Sequence, residues 1–569
     1  MANVENRSRD LCYVSSSSCQ WGRLANGGFM EIFDNQGNIN LGEVSRRDLL
    51  RGAGALAIMG GVVSTIGASP LNAMGRMPAI KKGGSLRVGV VGDIKDRLDA
   101  HWIVSIPDIV RLNVGFETLM TYDESFQPTY ADGLAEEVTT TDGVNWIIRV
   151  KKGIEFHDGK TLNGDDLVYS WQRLSDPKAV HSKSLRPFLN PAGVTKVDDR
   201  TVKLTLLQAN SDFRVTLATY TSTIVPVGYE NFGINKTQVG TGPYKLKSFT
   251  PGVESTHVRH ANYWDKGKPH LDEVRILSFS DTTALTNALQ GGQIDVAINV
   301  PLAMLPTLKK DKKLDVYSNS AGKITPICLV IDMDPFKDVR TRQAMKMLID
   351  RKKLLKQVLS NNGRLSNDDY SPVDPNYNAN GYPMQEQDIK GALKLLSAVG
   401  FSKSNPVVFD LKAPDDDAAL SGLAKAFVEQ VNTASGGVVK ATATTVAVGY
   451  WDTTYMAKGV NAFMTYYNPK PYFPQFSGMV FSYPETHFPE PGSQAKANYY
   501  AALAEVGPNR RAAIVKRMQK EEHERGGYII PYFVNASDSY TKKLQGVNKR
   551  NAALPLDYYG MHFKNLWLA

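Results

Sequence analysis

The sequence predicts an α/β fold divided into at least two lobes, and three observations carry that prediction. The chain has 569 residues, more than one compact core usually accommodates. From about Lys81 onward, alternating β-branched runs are interleaved with helical stripes. No internal repeat or long low-complexity linker separates the parts, so the lobes should join through more than one crossing of the chain.

Taken in order, the first 44 residues show no apolar periodicity. Ser45-Arg46-Arg47-Asp48-Leu49-Leu50-Arg51 then precedes a weakly apolar, Gly- and Ala-rich run from Ala53 to Ala68, followed by small residues and a proline. A basic region, an apolar region and a small-residue exit make a secretory leader. The paired arginines resemble a twin-arginine export signal, which implies export to the periplasm. The run is short for a membrane span. No cysteine closely follows it, so a free protein is expected rather than a lipid-anchored one. Because the leader lies so far in, translation is expected to start at Met30. Gly52-Ala53-Gly54-Ala55-Leu56-Ala57 fits a dinucleotide-binding spacing, but no strand precedes it, so it is assigned to the leader.

Ser85 to Val91, Asn145 to Val150 and Thr201 to Leu206 alternate as strands, the last two after the turn signals Asp142-Gly143 and Asp198-Asp199. Asn163 caps a helix through Val168 and Trp171, with Asp166 three residues on to complete a capping box, so Asp165-Asp166 reads as a cap and not as an acid–base couple. Val274 to Phe279, then a helix from Thr282 to Gln290 ended by Gly291-Gly292, then Ile294 to Ile298 make a βαβ unit and imply parallel sheet. Asp338 caps one long helix carrying Val339, Met345, Leu348, Ile349, Leu355 and Val358-Leu359. A stripe from Ile389 to Val399 stops at Gly400, Asn509 begins a last helix, and Tyr528 to Ile530 returns as strand.

Charge and cysteine narrow the function classes. Lys plus Arg is 66 against Asp plus Glu 57, a net of +9 without a basic block, so no nucleic-acid partner is expected. Beyond the leader only Cys328 remains, in the apolar run Ile327 to Ile331, where it reads as a small buried hydrophobe. No clustered His or Cys pair offers a metal site, and no cofactor is expected. No G-x-S-x-G, H-E-x-x-H or phosphate loop occurs in context, so no enzyme is expected. Glu521-Glu522-His523-Glu524 reads as a charged helix face.

Several ordered motifs carry a family resemblance. Leu134-Ala135-Glu136, Trp146, Gly153 to Lys160 (with Phe156, His157, Asp158 and Gly159) and Asp165 to Ser170 form the first. The second is Val239-Gly240-Thr241-Gly242-Pro243-Tyr244, then Asn262-Tyr263-Trp264 and Gly291 to Asp295. The third is Pro335 to Arg340 with Ile349-Asp350-Arg351 downstream, and Gly527 to Phe533 and Asp557 to Leu568 close the chain. Together they resemble the family 5 extracellular solute-binding proteins, the peptide- and nickel-binding components of ABC importers. The resemblance implies a two-lobed periplasmic-binding-protein fold (type II, large family 5 variant), with lobe I at 81–320 plus 527–569 and lobe II at 321–526. It implies a monomer that closes on a small molecule and is read by permease and ATPase subunits. A secreted hydrolase or a chemoreceptor-type binder is the alternative.

Most matched residues read as structural: Phe156 and Trp264 as core, His157 as part of a turn, and Gly240, Gly242 and Pro243 as a turn using positive φ and a fixed φ. Asp158, Gly159, Tyr244, Asp295 and Arg340 belong to the same set. Ligand contacts are expected from loops at strand ends: Gly92-Asp93, and the aromatic stretch with Tyr450, Trp451, Thr465, Tyr466, Tyr467, Asn468 and Lys470, whose density of prolines fits neither helix nor regular strand. Peptide-binding members of the family carry a Trp and, three residues on, an Asp that pairs with the ligand's α-amino group. Met464 and Tyr467 stand at those positions here, and Lys470-Pro471 replaces a following Asp-Pro. A neutral, hydroxyl-rich or anionic ligand, a glycoside or opine-like conjugate, is expected in place of an ordinary peptide.

Overall fold

The computed structural model describes residues 11–15, 18–24 and 30–32 and, from 80 to 569, all but 93–95, 104, 124–125, 180–184, 230–237, 375–382, 416, 447–448 and 548–561. Two units are distinguished, Met1–Met77 and Pro78–Ala569. In the first, Leu11–Ser15, Ser18–Leu24 and Met30–Ile32 pair as an antiparallel sheet. Arg46, Arg47 and the leader lie outside the described residues.

Three sheets organise the second unit. The largest runs in the order Tyr244–Thr250, Glu254–Arg259, Glu273–Phe279, Ser85–Val91, Val296–Ala297, Tyr532–Thr541, Leu314–Ile324, with Gly363–Leu365 also on Tyr532–Thr541. Ser85–Val91 is parallel to both of its neighbours, and helix Thr282–Gln290 makes the crossover between those two. Its apolar residues Leu86, Val88 and Val90 are completely buried. Arg87 holds the far end of the crossover with a two-pronged grip on Asp295, at 2.9 and 2.8 Å.

Ala135–Thr139, Asn145–Val150, Thr201–Leu206 and Leu189–Asp198 form a four-stranded antiparallel sheet around Trp146, Phe156 and Trp171. Helix Gly164–Leu174 packs on it, and its capping box between Asn163 and Asp166 forms as the spacing predicts.

The third sheet has the order Val439–Val446, Val407–Pro414, Ala462–Met464, Ile327–Leu329, Tyr528–Ile529. Helices Val339–Met347, Arg351–Leu359 and Ala418–Ser435 contribute to the core of this region. The chain passes between the largest and third sheets twice, from Ile324 to Ile327 and from Ile529 to Tyr532. Cys328 is fully buried in strand Ile327–Leu329, as its apolar neighbours suggest.

Three local expectations change. The single long helix after Asp338 is two helices, because Asp350 sits in extended backbone and its side chain accepts from the Lys353 amide, starting a new helix. The last long helix begins one residue early, at Pro508, which suits a position whose N–H has no helical partner. Gly240 and Gly242 are required for close approach and not for positive φ. A Cβ on Gly240 would stand 2.1 Å from the Gly115 carbonyl oxygen, and one on Gly242 2.5 Å from the Gly115 carbonyl carbon.

Candidate functional site

The strand Ala462–Met464 ends inside the third sheet, and the chain beyond it builds one wall of a cavity of about 550 Å³. Each step outward is pinned. The Thr465 amide donates to Pro326 O at 3.2 Å, and Tyr467 exchanges two backbone hydrogen bonds of 3.0 Å with Ile324 at the end of the largest sheet. Pro469 and Pro471 bracket Lys470 and restrict its backbone. The Tyr472 amide then donates to Asp374 at 2.7 Å as helix Tyr472–Ser477 begins. The aromatic stretch therefore does contain a strand and a short helix, with the irregular backbone confined between them.

Aromatic faces dominate this wall. Trp451 meets Tyr466 edge to face at 5.5 Å and Tyr455 at 5.3 Å. Trp451 remains 39% exposed and Tyr466 42%, leaving aromatic surface available on this wall. The opposite wall comes from far away in sequence: Asn210, Asp212, Val215, Thr216 and Thr219 to Ser222, around helix Phe213–Ala218. The two walls also touch. The Ser211 amide donates to Leu503 O at 2.7 Å, and Asp212 faces Arg511 at 3.6 Å.

Among the described residues lining the cavity, Asp212 and Lys470 are the charged ones. Burial, with the Asp374 charge adding to it and Arg511 opposing, pushes the Asp212 carboxyl up to about 7. Burial alone pushes the Lys470 amine down. A third charge is sealed behind the wall. Glu485 is 1% exposed, and its carboxylate accepts from the hydroxyls of Tyr455, Tyr467 and Tyr528, the last two at 2.7 Å. Burial raises its pKa and the three hydroxyls oppose the rise. Glu522, read from sequence as part of a charged surface, instead turns inward to accept from Tyr370 at 2.6 Å and Tyr472 at 2.9 Å, and burial pushes its carboxyl up to about 7.

Of the ligand contacts expected from sequence, Trp451, Thr465, Tyr466, Tyr467, Asn468 and Lys470 come together on this cavity. Tyr450 does not line it: the side chain is buried, donating to Met464 O at 2.6 Å, and so orients the strand end. Gly92 also lies elsewhere, packed against Pro107, Asp96 and Ser278, and Asp93 is outside the described residues. Asp212, Glu485 and the 210–222 wall were missed. Only the Asn210-x-Asp212 turn spacing hints at them, since their partners are set by tertiary contact.

The matched family residues serve the framework. His157 hydrogen-bonds Gly242 O at 3.0 Å and the Gly240 amide at 3.3 Å, tying the first motif to the second. Asp158 and Gly159 (φ +89°) form the turn between, and Asp158 accepts from the Lys160 amide at 3.0 Å. Tyr244 is buried, and His260 donates its amide to Pro243 O. Trp264 is only partly buried, and its Nε1 donates to the partly buried Glu117 at 2.9 Å. Arg340 grips Asp338 and reaches Ala398 O at 3.2 Å. Among the described residues no group of three or more His, Cys, Asp or Glu is arranged to hold a metal ion, and no helix is long and apolar enough to cross a membrane.

Comparison with known proteins places this architecture. The periplasmic oligopeptide-binding protein OppA of Salmonella typhimurium is 28% identical over 350 residues, 55% of this chain and 62% of that protein. The glutathione-binding protein GsiB of Escherichia coli is 31% identical over 227 residues, 39% of this chain and 44% of that protein. The matches thus span less than two thirds of these relatives' lengths. The structure of the oligopeptide-binding protein AppA from Bacillus subtilis, in complex with a nonapeptide, superposes with a TM-score of 0.70 at 22% identity, covering 86% of this chain and 99% of that one. The family model for bacterial extracellular solute-binding proteins, family 5, matches residues 129–487, and the chain belongs to that family.

Proposed function

We propose that this chain is the substrate-binding component of an ABC importer, capturing a small solute between its lobes and presenting the closed form to permease and ATPase subunits. The observation that carries this is the cavity itself: about 550 Å³, walled by 174–222 on one side and 451–503 on the other. That size suits a small molecule. Lobe I is assigned to 81–320 with 527–569, and lobe II to 321–526; sheet membership moves these bounds to the crossings at 324–327 and 529–532, and returns Gly363–Leu365 to the largest sheet. A hinge through the crossings at 324–327 and 529–532 and through the segments flanking Gly363–Leu365, which stays paired with Tyr532–Thr541, would separate the two cavity walls without breaking either sheet.

The protein binds rather than turns over its solute. The lining offers hydroxyls, amides and aromatic faces with two charged groups, Asp212 and Lys470, and among the described residues it includes no His or Cys. It acts in the periplasm as a monomer, reached through the twin-arginine leader at Arg46-Arg47. Native mass spectrometry of protein purified from its own host tests the proposal. A stoichiometric small molecule released on unfolding is expected. Host protein uniformly at its bare mass, with no solute restored by host extract, contradicts it.

A further inference from the structure

We infer that the cavity is built for an organic acid, with the Lys470 amine as the anchor for the ligand's carboxylate and the partly exposed rings of Trp451 and Tyr466 as the seat for its body. This rests on the reading of the cavity as a solute site and narrows the chemistry of that solute.

Lys470 is the cation of the lining. It is half-buried, set between Pro469 and Pro471 in backbone that cannot easily swing it away. Among the described residues it has no ion-pair or hydrogen-bond partner. The acids on and behind the walls have other partners. Glu485 accepts from Tyr455, Tyr467 and Tyr528. Asp212 faces Arg511 at 3.6 Å, and Asp374 accepts the Tyr472 amide at 2.7 Å.

A half-buried amine without a counter-charge is less favourable than a solvated or paired one until something supplies that charge. A ligand carboxylate does so, and the gain appears only on binding, which favours the closed form. The same geometry disfavours a ligand ammonium on this wall. The acid behind Tyr467 is covered by hydroxyls already donated to it, and the exposed charge is positive. The tyrosine and threonine hydroxyls on both walls add hydrogen bonds for a hydroxylated or amide-bearing body.

Calorimetry with probes of fixed body and varied charge tests this on the full chain. N-acetyl-Ala-Tyr is an anion, its C-terminal amide is neutral, and Ala-Tyr amide is a cation. Phenyl β-D-glucuronide against phenyl β-D-glucoside repeats the comparison on a sugar. In at least one set the carboxylate should bind about tenfold or more tightly than its neutral partner. Lys470→Met should erase that margin while leaving the neutral compound within about twofold, and Lys470→Arg should keep it. The unfolding midpoint of Lys470→Met should not fall, which separates lost binding from lost folding. Charge-blind binding, no binding by either set, tightest binding of Ala-Tyr amide, or an unchanged margin in Lys470→Met overturns the inference. A neutral or cationic solute in the native mass spectrum would overturn it too, while leaving the solute-binding role standing.

Discussion

Replacing Asp212 by Asn should flatten the pH dependence of stability, and the size of the change follows from the site. The Asp212 carboxyl lies at about 7 in the folded protein against an ordinary 3.8. The folded state therefore holds this proton more tightly than the unfolded chain does. Stability from this group is present at low pH and is lost as pH rises from near 4 through about 7. At about 1.4 kcal/mol per unit, integration from about pH 5 to about pH 8 gives a loss of about 2–3 kcal/mol from Asp212 alone. Other groups titrate over the same range, Glu522 with the same sign, so the quantity to measure is the difference between wild type and Asp212→Asn. Urea unfolding at a series of pH values supplies it. The wild-type curve should fall relative to the variant by that amount between the two ends. Parallel curves would refute the assignment of a raised carboxyl to this wall and, with it, the account of Asp212 as a buried acid only partly offset by Arg511.

Three further outcomes are expected. Gly240→Ala should lower stability by about 1–3 kcal/mol in urea unfolding, because the new Cβ would stand 2.1 Å from the Gly115 carbonyl oxygen and backbone must move. Tyr528→Phe should cost about 1–3 kcal/mol by the same measurement, since it removes one of three hydroxyls from a carboxylate that is 1% exposed. Trp451→Ala should leave the unfolding midpoint nearly unchanged, the ring being 39% exposed, yet weaken solute binding about tenfold by calorimetry.

What could be read from sequence was what is encoded locally. The Asn163 cap with Asp166, the βαβ unit from Glu273 to Ala297 and the Gly400 stop (φ +101°) depend on neighbours within a few residues, and they form as the spacing says. The break at Asp350 was hidden because the apolar stripe continues through it, and periodicity does not register a cap inside a stripe. Gly240 and Gly242 were recognised as special for the wrong reason, since the carbonyl that excludes a side chain comes from Gly115. The same limit governs the site. Aromatic density exposed one wall, while the other, around Asp212, carries no compositional signal and meets the first only through contacts such as Ser211 with Leu503. Glu522 looked like surface because its partners, Tyr370 and Tyr472, are brought by other segments.

Hydrogen exchange on protein carrying its co-purified solute, compared with the same protein stripped by unfolding and refolding, tests the central claim most directly. If a solute is held between the two walls, amides in both 210–222 and 463–483 should slow together on loading, with little change in the sheet Ala135–Leu206. Protection of one wall alone, or protection centred away from both, would contradict the account.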